Sequence, residues 1–129
     1  MSAMVFVLPL PPNVANVASG RSHWRYKHEA QKKYRVACDM KVLARLAPKA
    51  PVKPFALATV SAHLATWNPM DDDNAMSRCK WALDWLVTRG YLLDDRKKNL
   101  TWAGIPTQEI NRKSPSLTLT LTPLTPDRR

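Results

Sequence analysis

The residues of this sequence that are best suited to chemistry are aspartates, gathered in one stretch of an otherwise basic chain. The first group is contiguous, Asp71, Asp72 and Asp73, and Asn74 follows it. The second group consists of Asp84, Asp94 and Asp95. Magnesium prefers oxygen ligands, so carboxylates that meet at one point can hold one or two such ions. A magnesium-bound water then has a lowered pKa and can attack a phosphodiester.

The spacing of the first group predicts which carboxylates act together. In extended backbone, residues two apart share a face, so Asp71 and Asp73 point the same way and Asp72 points away. The alternative is that these aspartates only cap the following helix and complement its dipole. A single cap accounts for one aspartate, and three in a row with more downstream favour a metal site. The pattern does not fit a calcium-binding loop, because Ala75 interrupts the ligands and no glycine follows.

The charge of the chain points to an anionic polymer as partner. The net charge is +10, yet residues 71–95 carry a local charge of −3 and the rest carries +13. Such an excess favours nucleic acid, although a basic surface can also serve solubility alone. Carboxylates repel phosphates unless a divalent cation bridges them, which again indicates magnesium. The residues expected to contact DNA are Arg21, Arg25, Lys27, Lys32, Lys33, Arg96, Lys97 and Lys98.

Several other classes of protein are disfavoured by composition. No apolar run is long enough to span a membrane, and the apolar residues 4–10 lack the basic flank of a signal peptide. Cys38 and Cys79 are therefore expected to be free thiols in a reducing cytoplasm. The three histidines do not stand at zinc-ligand spacing, and no motif indicates a nucleophilic serine or cysteine. The predicted location is cytoplasmic.

The hydropathy pattern predicts the elements that position the aspartates. We expect strands over residues 4–10, 55–66 and 117–122, and another that runs through Trp102. A first helix is predicted over residues 27–46, with Val36, Met40, Leu43 and Ala47 as its apolar face. This order predicts a single α+β domain over residues 1–122, with one mixed sheet and two main helices. Residues 123–129 are expected to form a flexible basic tail.

The second helix is predicted over residues 74–89, from an N-cap at Asp73 to a stop at Gly90. A polar stripe along it consists of Asp73, Ser77, Lys80 and Asp84. Lys80 could thus reach a phosphate held at the metals, or it could form an ordinary surface pair with Asp84. Trp81 and Trp85 form a second apolar strip, for which core packing is favoured and a subunit interface is the alternative.

These motifs, in this order, resemble the RusA-like endodeoxyribonucleases of phages and prophages. The chain opens with Leu-Pro-Leu-Pro-Pro-Asn at residues 8–13, similar to the family's apolar strand that runs into Pro-Pro. Residues 71–74 are similar to its Asp-x-Asp-Asn, and residues 80–86 to its Lys-x-x-x-Asp-x-Leu helix. Residues 90–95 match its Gly-x-x-x-Asp-Asp turn. The resemblance covers about residues 4–102, and its joint order is more specific than any single motif.

The resemblance implies a homodimeric, RusA-like α+β protein that binds four-way (Holliday) DNA junctions and cuts one strand per subunit with Mg²⁺. Carried over by position, Asp71, Asp73 and Asp95 would be the metal ligands and Lys80 the essential basic residue near the phosphate. Asn74 and Asp94 would support the ligands. The lysine stands about one helical turn further along than in well-known members, which leaves Arg78 as a possible substitute. The alternatives are a non-catalytic DNA-binding or regulatory protein, and a metal nuclease for other branched DNA.

Overall fold

A computed structural model describes residues 3–12, 21–44 and 48–124, without the side chains of residues 21–24 and 42–44. Strands and helices follow one another along the chain in the order β1 Met4–Leu8, α1 Arg21–Ala44, β2 Ala58–Thr66, α2 Asp72–Arg78, α3 Lys80–Thr88, β3 Leu100–Trp102, β4 Thr107–Ile110 and β5 Ser116–Pro123. The predicted α+β class is confirmed. The short strand β4 was not predicted, because only four residues form it and three of them are exposed.

All five strands belong to one mixed sheet with the order β1-β5-β2-β3, and β4 also pairs with β2. Strand β5 pairs antiparallel with both β1 and β2. Strands β3 and β4 pair parallel with successive parts of β2, from Ala58 to Val60 and from His63 to Thr66. Strand β2 is therefore the centre of the sheet, and the helical connection that carries the aspartates leaves from its end.

The core lies between one face of this sheet and the helices, and strict alternation along the strands creates it. In β5 the leucines Leu117, Leu119 and Leu121 are fully buried, while the threonines between them are half-buried. Their partners on β2 are Leu64, Ala62 and Val60, which are also buried. Residues of period two must all point to one face of a pleated strand. The predicted strands at residues 55–66 and 117–122 are thus confirmed in their central parts.

The predicted apolar face of α1 is wrong. Val36 is 58% exposed and Met40 is 66% exposed, whereas Tyr34 and Cys38 are buried in the core. The buried side of the helix includes Tyr34 and Cys38, and the hydroxyl of Tyr34 donates a hydrogen bond to the carbonyl of Pro9 at 2.7 Å. That bond ties α1 to the end of β1. The predicted face residues Leu43 and Ala47 lie outside the described side chains.

The predicted second helix is divided at Cys79 into α2 and α3. The backbone N–H of Cys79 donates to Met76, three residues back, at 3.1 Å. Its thiol approaches the carbonyl of Ala75 at 3.3 Å, the acceptor that a regular α-helix would pair with the N–H of Cys79. The helix nevertheless ends as predicted. Gly90 has a φ of 83°, and Tyr91 N–H reaches back to the carbonyl of Leu86, as in a Schellman motif.

Both tryptophans of α3 are core residues. Trp81 is 4% exposed and Trp85 is 1% exposed, and the ring of Trp85 meets Phe6 of β1 edge-on at 6.1 Å between centroids. Of the two roles considered for this strip, the structure confirms packing inside the chain. In the described part of the chain, no helix combines the length and the apolar character needed to cross a membrane. Pro123 ends β5, and the predicted tail beyond Leu124 lies outside the described residues.

Candidate functional site

Two carboxyl groups from separate parts of the chain meet on the side of α3 that faces α1. Asp84 lies on α3, and the side chain of Asp95 comes within hydrogen-bonding reach of it from the turn that follows Gly90. Burial raises the pKa of Asp84 above its usual value, and the neighbouring charge and hydrogen bond of Asp95 raise it further. Lys80 and Arg35 oppose this shift. The two carboxyl groups therefore form a pair that a cation would stabilise.

Backbone hydrogen bonds fix the turn that presents Asp95. Phe55 N–H donates to the carbonyl of Tyr91 at 3.0 Å, and Leu93 N–H donates to the carbonyl of Phe55 at 2.9 Å. Tyr91 is buried against Phe6, with ring centroids 4.9 Å apart. The turn is thus held by the segment that precedes β2 as well as by the end of α3. Asp95 reaches Asp84 because tertiary contacts hold both ends of this turn.

The pair is bounded by polar and cationic side chains from two helices. Lys80 precedes Asp84 by one turn on α3, and Arg35 acts on Asp84 from α1. Gln31, one turn before Arg35, donates from its Nε2 to Oδ2 of Asp84 at 3.3 Å. Arg35 and Gln31 were not predicted as site residues. The four-residue spacing within each helix was visible in the sequence, but nothing in the sequence indicated that the two helices adjoin there.

A network centred on Asp39 holds α1 against α3 next to this pair. The indole Nε1 of Trp85 donates to Oδ1 of Asp39 at 2.8 Å, and Nε of Arg89 donates to the same oxygen at 2.7 Å. A second nitrogen of Arg89 bonds the other carboxylate oxygen. Although burial opposes it, hydrogen bonds from Arg89 and Trp85 hold the pKa of Asp39 below its usual range. The network sets the spacing of the helices that carry Arg35 and Asp84.

The predicted trio of ligands is not assembled in this structure. Asp71, Asp72 and Asp73 are exposed at the start of α2, and Asp71 occupies the N-cap position without a side-chain cap hydrogen bond. Within the described ranges, no group of three or more histidine, cysteine or acidic side chains is placed to hold a metal ion. The joint role of Asp71, Asp73 and Asp95 as metal ligands therefore stays a prediction, which requires the two acidic segments to approach each other. Asp84, the neighbour of Asp95, follows Asp73 by eleven residues, or about 16 Å of helical rise if α2 and α3 were collinear.

The predicted supporting residues have different surroundings. Asn74 is exposed on the first turn of α2. Arg78 is half-buried and turns away from the carboxyl pair, since its Nε donates to the carbonyl of Pro11 and its Nη1 lies 3.6 Å from the sulfur of Met70. Asp94 accepts from the backbone N–H of Asp95 at 2.7 Å and pairs with Arg96 at 3.0 Å. Asp94 thus stabilises the turn that presents Asp95, whereas Arg78 bonds the segment that follows β1.

The basic residues predicted to contact DNA lie on the surface wherever their side chains are described. Those on α1 and on the turn after Asp95 are exposed, namely Arg25, Lys27, Lys32, Lys33, Arg96, Lys97 and Lys98. Arg21 begins α1, and its side chain lies outside the described set. Arg35 continues the basic run of α1 to Asp84, and Arg96 follows Asp95 directly. Arg35 and Arg96 thus link these two basic segments to the residues of the carboxyl pair.

The cysteines do not offer a nucleophile. Cys38 and Cys79 are free and buried, and burial raises the pKa of each thiol to about 12. His63 is occupied on the open face of the sheet, where its ring nitrogens lie 2.6 Å from the hydroxyl of Thr107 and 2.9 Å from the carboxylate of Glu109.

No protein-family model matches the chain, and comparison with curated proteins finds no significant match.

Proposed function

We propose that this protein is a magnesium-dependent endodeoxyribonuclease that acts on branched DNA, with four-way junctions as its substrate and a homodimer as its working form. The observation that carries the proposal is the proximity of Asp84 and Asp95 to each other and to the cations Lys80 and Arg35. The resemblance to RusA-like nucleases supports the same reading. DNA recombination and repair in the cytoplasm of a bacterial cell, with the protein encoded by a phage or prophage, is the corresponding setting.

The donor set of the carboxyl pair fits magnesium. This ion is commonly bound by one or two carboxylates together with substrate phosphates and waters. Asp84 and Asp95 would hold it, and bound there it would supply an activated water and stabilise charge on the leaving oxygen. Asp71 and Asp73 remain predicted ligands that would have to approach Asp95 when DNA binds. Asp84 and Asp95 are neighbours in the structure, whereas Asp71 and Asp73 are expected as ligands from the resemblance.

The chain's own residues can hold DNA against this pair. Lys80 and Arg35 supply positive charge next to Asp84, where a phosphate would otherwise be repelled. Gln31 donates a hydrogen bond to the carboxyl of Asp84, and the charge of Lys80 acts on the same carboxyl. The exposed cations of α1 and residues 96–98 would neutralise phosphates on either side. Each subunit of a dimer would then place one such site on one strand of the junction.

The decisive experiment is cleavage of a synthetic four-way junction by wild-type protein in magnesium buffer, with a linear duplex of the same sequence as reference. Asp95→Asn should abolish cutting and leave junction binding in EDTA unchanged, because it removes a ligand and not a DNA contact. Asp72→Asn is the matched control, since Asp72 is exposed and outside both predicted ligand sets. Wild-type protein that leaves the junction intact would overturn the proposal, and equal cutting of the duplex would remove only the preference for junctions.

The second candidate is a non-catalytic DNA-binding or regulatory protein. The observation that favours it is that no three metal-binding side chains gather within the described part of the chain. In that case the carboxyl pair only positions α1 against α3. Tight junction binding without cutting, and with no effect of magnesium on stability, would support this candidate. A nuclease for other branched DNA would instead cut flaps faster than four-way junctions with the same aspartates.

A further inference from the structure

The loop between β2 and α2 is held by hydrogen bonds at successive residues. Gln108 of β4 brackets Met70: its Oε1 accepts from Met70 N–H, and its Nε2 donates to Met70 C=O, both at 2.8 Å. The hydroxyl of Thr66 donates to the carbonyl of Asn68 at 2.9 Å. Nε of Arg112 approaches the carbonyl of Trp67 at 3.4 Å. The backbone of residues 67–70 is therefore preorganised by its neighbours.

This rigid loop presents a tryptophan to solvent. Trp67 is 58% exposed, in contrast to Trp81 and Trp85, which are buried. Because the ring of Trp67 is mostly exposed, packing in the core does not explain why this loop carries a tryptophan. Rigid aromatic rings of this kind act as stacking platforms for nucleobases in proteins that bind single strands. The loop thus has the form of a contact surface.

A cleft of about 280 Å³ lies beside Trp67, bounded on its other sides by Leu10, Asn68, Met70 and Arg78. Its size is near the lower end of small-molecule pockets, about 300–1,000 Å³. Leu10 and Met70 offer apolar contact, Asn68 carries an amide donor and acceptor, and Arg78 brings a guanidinium. A flat heterocycle with polar edges matches this lining.

The lining of the cleft favours a base over a phosphate. Its one charged residue is Arg78, whose guanidinium already donates to the carbonyl of Pro11, and the other lining residues are apolar or neutral. A nucleobase is uncharged and can be held by stacking and by hydrogen bonds at its edges. The neighbouring loop carries the exposed cations Arg112 and Lys113, and Asn111 holds it by accepting from the N–H groups of Lys113 and Ser114. A DNA backbone can therefore follow Arg112 and Lys113 while its base turns inward.

We propose that Trp67 and the adjoining cleft bind one unpaired nucleobase of DNA, stacked on the indole ring. The inference rests on the DNA-binding part of the proposed function and adds to it a subsite for a base that has left the duplex. Unpaired or easily unpaired bases occur at the branch point of a junction. The subsite lies at the start of α2, next to Asp71, so the base it holds would adjoin the exposed acidic group.

The test measures DNA affinity in EDTA by fluorescence anisotropy, with a labelled single-stranded oligonucleotide and a labelled four-way junction. Trp67→Ala should weaken single-strand binding about tenfold, and Trp67→Phe should restore most of that loss. Ile105→Ala is the matched control, because Ile105 is 59% exposed and does not line this cleft. The slope of log affinity against log salt should stay unchanged in Trp67→Ala, since stacking releases no counterions.

A change on the DNA side makes the test independent of folding defects. An abasic site moved along the oligonucleotide should weaken wild-type binding at one position and have no further effect on Trp67→Ala at that position. Equal affinities of wild type and Trp67→Ala would overturn the subsite. So would a Trp67→Ala protein whose only change is a dimer that dissociates in sedimentation, because the ring would then contact protein. A wild-type protein that stacks a base but never cuts a junction overturns only the nuclease proposal.

Discussion

The two acidic regions of this molecule differ in the way their carboxylates are brought together. Asp71, Asp72 and Asp73 adjoin along the chain but are exposed at the start of a short helix. Asp84 and Asp95 are eleven residues apart, yet their carboxyl groups are neighbours because α3 ends before Gly90 and the next turn folds back along Phe55. Sequence adjacency concentrates charge, whereas a carboxyl pair at bonding distance requires the backbone to return to the same place.

The largest effect is expected on the rate of junction cleavage, which can be compared between substitutions in the two acidic regions. Asp84→Asn and Asp95→Asn are each expected to lower the rate of junction cutting more than about 100-fold, because they remove ligands from the pair. Single-turnover cleavage of a labelled junction measures this. The resemblance predicts losses of similar size for Asp71→Asn and Asp73→Asn, which would require the two acidic regions to approach each other on DNA. Unchanged cutting in Asp84→Asn would show that the pair is only structural.

Measurements of the free energy of unfolding test whether the Asp39 network holds together the region around Asp84 and Asp95. Asp39→Ala should lower the free energy of unfolding by about 1–3 kcal/mol, because the buried indole N–H of Trp85 loses its acceptor. Urea denaturation measures the change. Asp72→Ala is the control and should stay within about 0.5 kcal/mol of wild type, since Asp72 is exposed. Equal stabilities of Asp39→Ala and wild type would remove the network from this account.

Metal-free stability should rise when the pair loses one charge. Asp84→Asn is expected to stabilise the protein in EDTA by up to about 1 kcal/mol, because the folded state no longer places two partly buried carboxylates together. Magnesium should then stabilise wild type and not this variant. Thermal melts with and without magnesium measure both effects, with Asp72→Asn as control. Magnesium stabilisation that persists in Asp84→Asn would place the ion elsewhere.

Lowering the pH should remove a smaller contribution to the free energy of unfolding, that of the ion pair between Asp39 and Arg89. The pKa of Asp39 is lower in the folded protein than in the unfolded chain, so its ionised form stabilises the fold above the unfolded pKa of about 4. This contribution is lost as the pH falls from about 4 through the folded pKa. The stability difference between wild type and Asp39→Ala should shrink over that range, by a few tenths of a kcal/mol for an ion pair so exposed. A constant difference down to pH 2 would assign it to the neutral hydrogen bonds.

Local patterns predicted the parts of the fold that depend on local geometry. The alternation in β2 and β5 and the stop at Gly90 required only period two and a residue that tolerates positive φ. The face of α1 was predicted wrongly, because the helix buries Tyr34 and Cys38 to satisfy contacts with β1 that no helical period reveals. The division at Cys79 lies in the backbone, where its N–H donates to Met76 three residues back, and residue type alone does not indicate it.

By itself the sequence determined the excess of positive charge, the concentration of aspartates between residues 71 and 95, and the α+β class, since composition and periodicity are properties of the chain alone. Only the tertiary structure decided that Asp95 meets Asp84, that Arg35 and Gln31 of α1 adjoin them, and that Trp67 is exposed while Trp81 and Trp85 are buried. These contacts join residues distant along the chain, and their formation depends on how the helices pack on the sheet.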